Sequence, residues 1–203
     1  VELKRCDMSV HAGNVGATGI LAVVVLVRGC LSNSEHQPQE QTAVGGPDYR
    51  NAEYVIEGQR ITLTDGLPEG EAAPGSASRL VTRYFGNELT TDLNDDGRQD
   101  VVFLLTQQRG GSGTFFYAVA ALNTEAGTLG SDGYRLGDRI APQATVVSRD
   151  PRHKNVIVVN YADRRRDEPM TARPSVGKSV YLKLNTDTVQ WGVVVPDFEG
   201  ESR

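Results

Sequence analysis

Val101-Val-Phe-Leu-Leu-Thr106 and, a little further on, Thr114-Phe-Phe-Tyr-Ala-Val-Ala-Ala-Leu122 decide the fold. Both are unbroken apolar runs of strand length, rich in Val and Phe. A strand with one wet face alternates apolar and polar residues. A run that does not alternate predicts a strand covered on both faces. Between the two runs, Arg109-Gly-Gly-Ser-Gly113 supplies residues that tolerate positive φ and suit a turn.

Outward from this pair the same texture continues. Tyr54–Ile56, Ile61–Thr64, Arg79–Phe85 (with a short helix as its alternative), Tyr134–Leu136, Thr145–Val147, Val156–Tyr161, Val180–Leu184 and Val189–Val195 read as further strands, with Trp191 the one large anchor of the last. Asp65-Gly66 marks a turn and Leu67–Ser78 a loop. No long stretch has a 3.6-residue period. The expectation is a mainly β domain over 48–203, an antiparallel sandwich or partly closed barrel of about eight or nine strands, with few or no helices outside the leader.

The N-terminal segment reads as an address. Val15–Val27 is apolar except for Thr18, and its 13 residues are too few to span a bilayer, which takes ~20, but suit a signal-peptide core. Lys4 and Arg5 lie ahead of it, and Gly29-Cys30 ends it. Residues 1–29 are therefore expected to be a leader, with an uncleaved anchor or a buried apolar strand as the other reading, and 30–47, polar and rich in Ser, Glu, Gln and Pro, a disordered tether. The chain opens on Val1; Met8 is a second possible start. The only cysteines are Cys6 and Cys30, so a zinc cluster of thiolates is excluded.

Charge narrows the partners. The chain holds 21 Lys and Arg against 26 Asp and Glu. Three basic and two acidic residues precede Cys30, leaving a balance of −6 from there onward. Nucleic acid selects basic faces, so it is not an expected partner.

Asp92-Leu-Asn-Asp-Asp-Gly-Arg-Gln-Asp100 is the local motif with chemistry behind it. Oxygen-bearing side chains recur at Asp92, Asn94 and Asp96; Gly97 permits a sharp turn; Arg98 offers a backbone carbonyl with its side chain outside; Asp100 completes the set. Calcium takes 6–8 oxygens and suits such a pattern. A metal-free turn built from Asx side chains is the other reading of the same residues.

Several fainter signals lead elsewhere. Gly177-Lys178-Ser179 lacks the upstream glycine of a phosphate loop, which is Ala172 here. His153 stands by itself in the turn Asp150–Asn155 and reads as solvated. A Ser–Lys hydrolase using Ser175 or Ser179 with Lys178 or Lys183 is disfavoured, because neighbours on a strand point to opposite faces. Asp163–Glu168 reads as a solvated charged loop. Gly137–Pro142 and Tyr161–Arg164 each place an Asp–Arg pair at a strand end and read as local ion pairs; a ligand groove lined by Arg139, Tyr161 and Arg164 is the other reading.

The ending at Val27-Arg-Gly-Cys30 resembles the lipobox of bacterial lipoproteins, although Arg28 stands where that pattern has a small or uncharged residue. The resemblance implies acylation of Cys30, an anchor in the lipid bilayer and a place in the cell envelope on the non-cytoplasmic side. The Asp92–Asp100 loop resembles those of EF-hands, dockerins and FG-GAP propeller blades. It is most similar to the FG-GAP form, because it runs straight into an apolar strand and Phe103 stands where an EF-hand has Glu. Tyr84-Phe-Gly-Asn87, Gly110–Thr114, Gly137–Pro142, Tyr161–Arg164 and Pro174–Lys178 together resemble a domain of uncharacterised bacterial lipoproteins, some of which continue into a META-type domain. That family carries no known activity. The resemblance bears on location and domain extent only; taken together, the residues lead to the expectation of an anchored, non-catalytic binding module with one structural calcium and an unknown envelope partner, the alternative being an envelope hydrolase or carbohydrate-binding protein.

Overall fold

The computed structural model describes residues 46–68 and 80–195. The leader 1–29, the acylation candidate Cys30 and the tether up to residue 45 lie outside the described residues, as does most of the loop expected over 67–78. Pro47, at the end of the tether segment, is buried.

The described chain is all β. Twelve strands follow in order: β1 (Glu53–Ile56), β2 (Gln59–Thr64), β3 (Leu67–Pro68), β4 (Leu80–Thr91), β5 (Asp100–Arg109), β6 (Phe115–Thr124), β7 (Gly127–Gly130), β8 (Tyr134–Asp138), β9 (Ala141–Val147), β10 (Val156–Asp163), β11 (Val176–Asn185) and β12 (Gln190–Val193). They form three antiparallel sheets. The central one runs β4-β5-β6-β7, with β8 on the same edge of β6 as β7 but further along. An N-terminal sheet runs β1-β2-β3, and a C-terminal sheet runs β12-β11-β10-β9.

The two apolar runs are β5 and β6, and their side chains divide by the two-residue period of a strand. Val102, Leu104, Phe116, Ala118, Ala120 and Leu122 pack on Ile157, Val159, Leu182 and Leu184 of the C-terminal sheet. Val101, Phe103, Leu105, Tyr117, Val119 and Ala121 pack on Tyr54, Ile56 and Leu63 of the N-terminal sheet. The central sheet is thus covered on both faces, and the sandwich has three sheets rather than two. Phe103 is the hub of the N-terminal core, with its ring 5.3 Å from that of Tyr49, 5.5 Å from Tyr54 and 5.6 Å from Tyr84.

Main-chain bonds tie the N-terminal sheet to both edges of the central one. At one end Gly133 N–H donates to the Val55 carbonyl at 2.8 Å; at the other, Tyr84 N–H donates to Gly66 at 2.9 Å. These links leave no continuous ladder, so the barrel is not closed.

Strand β4 continues past Phe85, the end of the strand expected from sequence, through Gly86-Asn87 to Thr91. Irregular pairing there absorbs the strain: the register against β5 shifts at Tyr84/Gly86 and again at Gly86/Leu89, with φ at +110° for Gly86 and +58° for Asn87. Strand β7, Gly-Thr-Leu-Gly, carries no strand signal of its own and is held by pairing with β6.

Candidate functional site

The Asp92–Asp100 loop bridges β4 and β5 at one end of the central sheet. It curls because its side chains capture its own backbone. Asp92 Oδ1 accepts from Asn94 N–H at 3.2 Å and Asp96 N–H at 3.3 Å, and Asp92 Oδ2 from Gly97 N–H at 2.9 Å. Asn94 Oδ1 accepts from Asp96 N–H at 3.2 Å, and Asp96 Oδ1 from Arg98 N–H at 2.8 Å. Asp95 and Gly97 take positive φ, +62° and +82°, to close the turn. Asp96 lies below the usual carboxylate range, first because of the Arg98 N–H bond.

Two members behave differently from the sequence reading. The Arg98 side chain turns inward: Nη2 donates to Asp96 Oδ2 at 2.9 Å, and Nε reaches the Asn123 carbonyl at 2.8 Å. Asp100 is fully buried, and both its oxygens are committed to backbone donors, Oδ2 to Leu93 N–H at 2.9 Å and Oδ1 to Asn123 N–H at 2.8 Å. Burial pushes its carboxyl up; those two N–H bonds oppose the shift.

These oxygens suit a hard cation in chemistry. Asp92, Asn94 and Asp96 are gathered by mutual bonds, the Arg98 carbonyl follows them, and carboxylate lone pairs remain. The described residues nevertheless hold no group of three or more His, Cys, Asp or Glu side chains assembled as metal ligands. The Arg98 guanidinium sits on Asp96, and each Asp100 oxygen accepts one backbone N–H.

The loop also joins two sheets. Asn155, in the β9–β10 turn, donates from Nδ2 to the Leu93 carbonyl at 3.0 Å and to Asp95 Oδ2 at 3.1 Å, and Lys154 pairs with Asp95 at 2.8 Å. Two loops some 60 positions apart in sequence meet here.

Arg139 and Arg164 are linked through the backbone. Arg164 Nη1 donates to the Arg139 carbonyl at 2.9 Å and Nε to Ala172 at 2.6 Å, while Arg139 pairs with Asp138 at 3.1 Å. Tyr161 is buried in the C-terminal core, and burial raises its hydroxyl. Both guanidinium groups are therefore engaged in holding the chain.

His153 is not solvated. Its side chain is 11% exposed, its ring stands edge-on to Tyr181 at 5.7 Å, and Nδ1 lies 2.9 Å from Ser148 Oγ. Nε2 is 3.9 Å from Asp150, beyond hydrogen-bond range, and Asp150 pairs with Arg152. Lys178 is held by Asp163 and Ser179 by Asn160, both at 2.6 Å.

Sequence reasoning missed a second cluster. Glu57, in the β1–β2 turn, pairs with Arg109 of β5, accepts from Tyr117 Oη of β6 at 2.6 Å and lies 3.8 Å from Arg135 of β8. Its φ is +49°, followed by Gly58 at +79°, a turn in which both central residues sit left-handed. That conformation costs a non-glycine residue roughly 1–2 kcal/mol, and Asn or Gly is the usual choice. Glu in that place was the one signal available. Beside it lies a cavity of about 270 Å³ lined by Ile56, Glu57, Gln59, Leu80 and Arg109.

No family model, no curated protein and no solved structure matches this chain. Function therefore has to be argued from these residues.

Proposed function

We propose that the chain is a lipid-anchored envelope protein whose β domain is a non-catalytic binding module carrying one structural calcium. The observation that carries this reading is the inward-curled Asp92–Gly97 loop, whose oxygen donors gather at the junction of two sheets. Asp92, Asn94 and Asp96, with the Arg98 carbonyl and Asp100, would hold the ion. A bound divalent cation would neutralise the loop's carboxylates and so strengthen its hold on the chain. The protein's own part is to pre-curl the loop and to link it, through Asn155 and Lys154, to the β9–β10 turn. The anchor half of the proposal rests on Val15–Val27 and Gly29-Cys30.

Thermal melting across a calcium titration tests the metal. The expected result is a rise in Tm with calcium for wild type and none for Asp96→Ala; identical calcium responses in the two would sink it. Extracellular-type loops bind at ~10⁻⁴–10⁻³ M, so the titration must reach millimolar concentrations. Labelled palmitate tests the anchor, with incorporation expected in wild type and absent from Cys30→Ser.

A further inference from the structure

We propose that the cavity beside Glu57 is the binding module's ligand subsite, and that it takes a small monoanion with an apolar group, typified by a short-chain carboxylate. Three independent observations converge on it.

The first is an oriented cation in the cavity wall. Arg109 Nε donates to Gln107 Oε1 at 2.9 Å, and Nη2 donates to Tyr117 Oη at 3.0 Å and pairs with Glu57. Gln107 is 1% exposed and is itself held by Thr82 at 3.2 Å; Tyr117 is fully buried. The guanidinium is thus fixed from behind by buried groups, and all three contacts use Nε or Nη2. Nη1 takes part in none of them. A planar, pre-set guanidinium with donors to spare is a strong receptor for a carboxylate.

The second is charge. Glu57 is shared by Arg109 and Arg135, two cations against one anion. The cluster has one positive charge left over, which matches a monoanion. Phe115 lies against both guanidinium groups, its ring centre 5.3 Å from Arg109 Cζ and 4.6 Å from Arg135 Cζ, which restricts their movement.

The third is the apolar lining. Leu80 and the edge of Ile56, itself 1% exposed, line the same cavity, so apolar side chains border the space that Arg109 also lines. Its volume of about 270 Å³ falls just below the ~300–1,000 Å³ typical of small-ligand sites, which limits it to a small ligand. A hydrocarbon group against Leu80 with its carboxylate on Arg109 Nη1 uses both kinds of lining at once.

The inference rests on the binding-module reading but not on calcium or the anchor. Amide NMR spectra of the full chain, titrated with hexanoate and separately with hexanamide, decide it. Hexanoate should give saturable shifts at Gln59, Leu80 and Arg109, about tenfold tighter than hexanamide. Arg109→Gln should lose the response while its spectrum stays dispersed. If that variant does not fold, the half-exposed Arg135→Gln should still weaken hexanoate several-fold. Equal responses to acid and amide, shifts only at other residues, or no saturable shift by about 10 mM would overturn it. Failure here would leave the calcium and palmitate results untouched, and their failure would leave this titration standing.

Discussion

The side-chain amide of Asn155 donates to the main-chain carbonyl of Leu93 at 3.0 Å, across 62 positions of sequence. Through this bond the loop between β4 and β5 is pinned to the turn between β9 and β10. Asn155 also takes a φ of +56°, which Asn tolerates and Ala does not. Side chain and backbone can therefore be separated. Asn155→Gly should lose about 1 kcal/mol for the missing hydrogen bonds, and Asn155→Ala about 1 kcal/mol more for the added strain. Urea denaturation of the two variants checks the order; equal losses would remove the backbone argument.

Arg98 serves the loop as an internal cation. Arg98→Gln should lower Tm in calcium-free buffer and enlarge the rise that calcium produces, since nothing then competes for Asp96. The check is a pair of melts, with calcium and with chelator. An unchanged calcium increment would show that the guanidinium does not stand in for the ion.

Asp100 is a buried carboxyl pushed up by burial, so its own ionisation works against the fold. The sign follows from linkage: the folded state binds this proton more tightly than the unfolded, and the contribution is lost as pH rises through the ordinary ~3.9 toward the raised value. Removing the charge should nevertheless harm. Each oxygen accepts one buried N–H, and an Asn can accept only one of the two. Asp100→Asn should cost about 1–3 kcal/mol at neutral pH, the penalty of an orphaned donor. Stabilisation in urea titrations would mean that desolvation outweighs the two bonds.

Glu57 has the opposite sign. Its carboxyl is held below the usual range, first by the Tyr117 hydroxyl and then by Arg109. Its contribution to stability is fully present above the ordinary ~4.3 and is lost as pH falls through the lowered folded value. Wild type should therefore lose stability on acidification below about pH 5, and Glu57→Gln should be less stable at pH 7 and lose less on the way down. Denaturation midpoints across pH 3–7 test this; parallel curves would contradict it.

Gly130 separates the N-terminal sheet from the central one. A Cβ built there would stand 2.0 Å from the Glu53 carbonyl oxygen and 2.8 Å from the Tyr54 ring. Main chain cannot yield as a side chain does, so β1 would be driven off the edge of β7. Gly130→Ala should cost roughly 3 kcal/mol, the upper end of overpacking. A near-neutral Gly130→Ala in thermal melts would show that β1 is free to move.

Much of this protein follows from local rules. The lack of alternation in Val101–Leu105 and Phe115–Leu122 requires cover on both faces, because either face left wet would expose a full row of large apolar side chains. The curl of Asp92–Gly97 is equally local, since short Asx side chains reach the N–H groups one turn ahead. What the residues could not reveal is everything set by distant partners. Whether Val102 or Phe103 meets the C-terminal sheet depends on where that sheet lies. Gly127–Gly130 is a strand because β6 offers it a ladder, and β4 crosses Gly86-Asn87 because β5 accepts an irregular register. Arg98 turns inward because the Asn123 carbonyl waits 25 positions away, and Glu57, Arg109, Tyr117 and Arg135 converge only once the N-terminal sheet has stacked on the central one. Backbone periodicity and side-chain reach act over a few residues and can be read along the chain; hydrogen bonds and ion pairs between remote segments exist only after packing has brought them within about 3 Å.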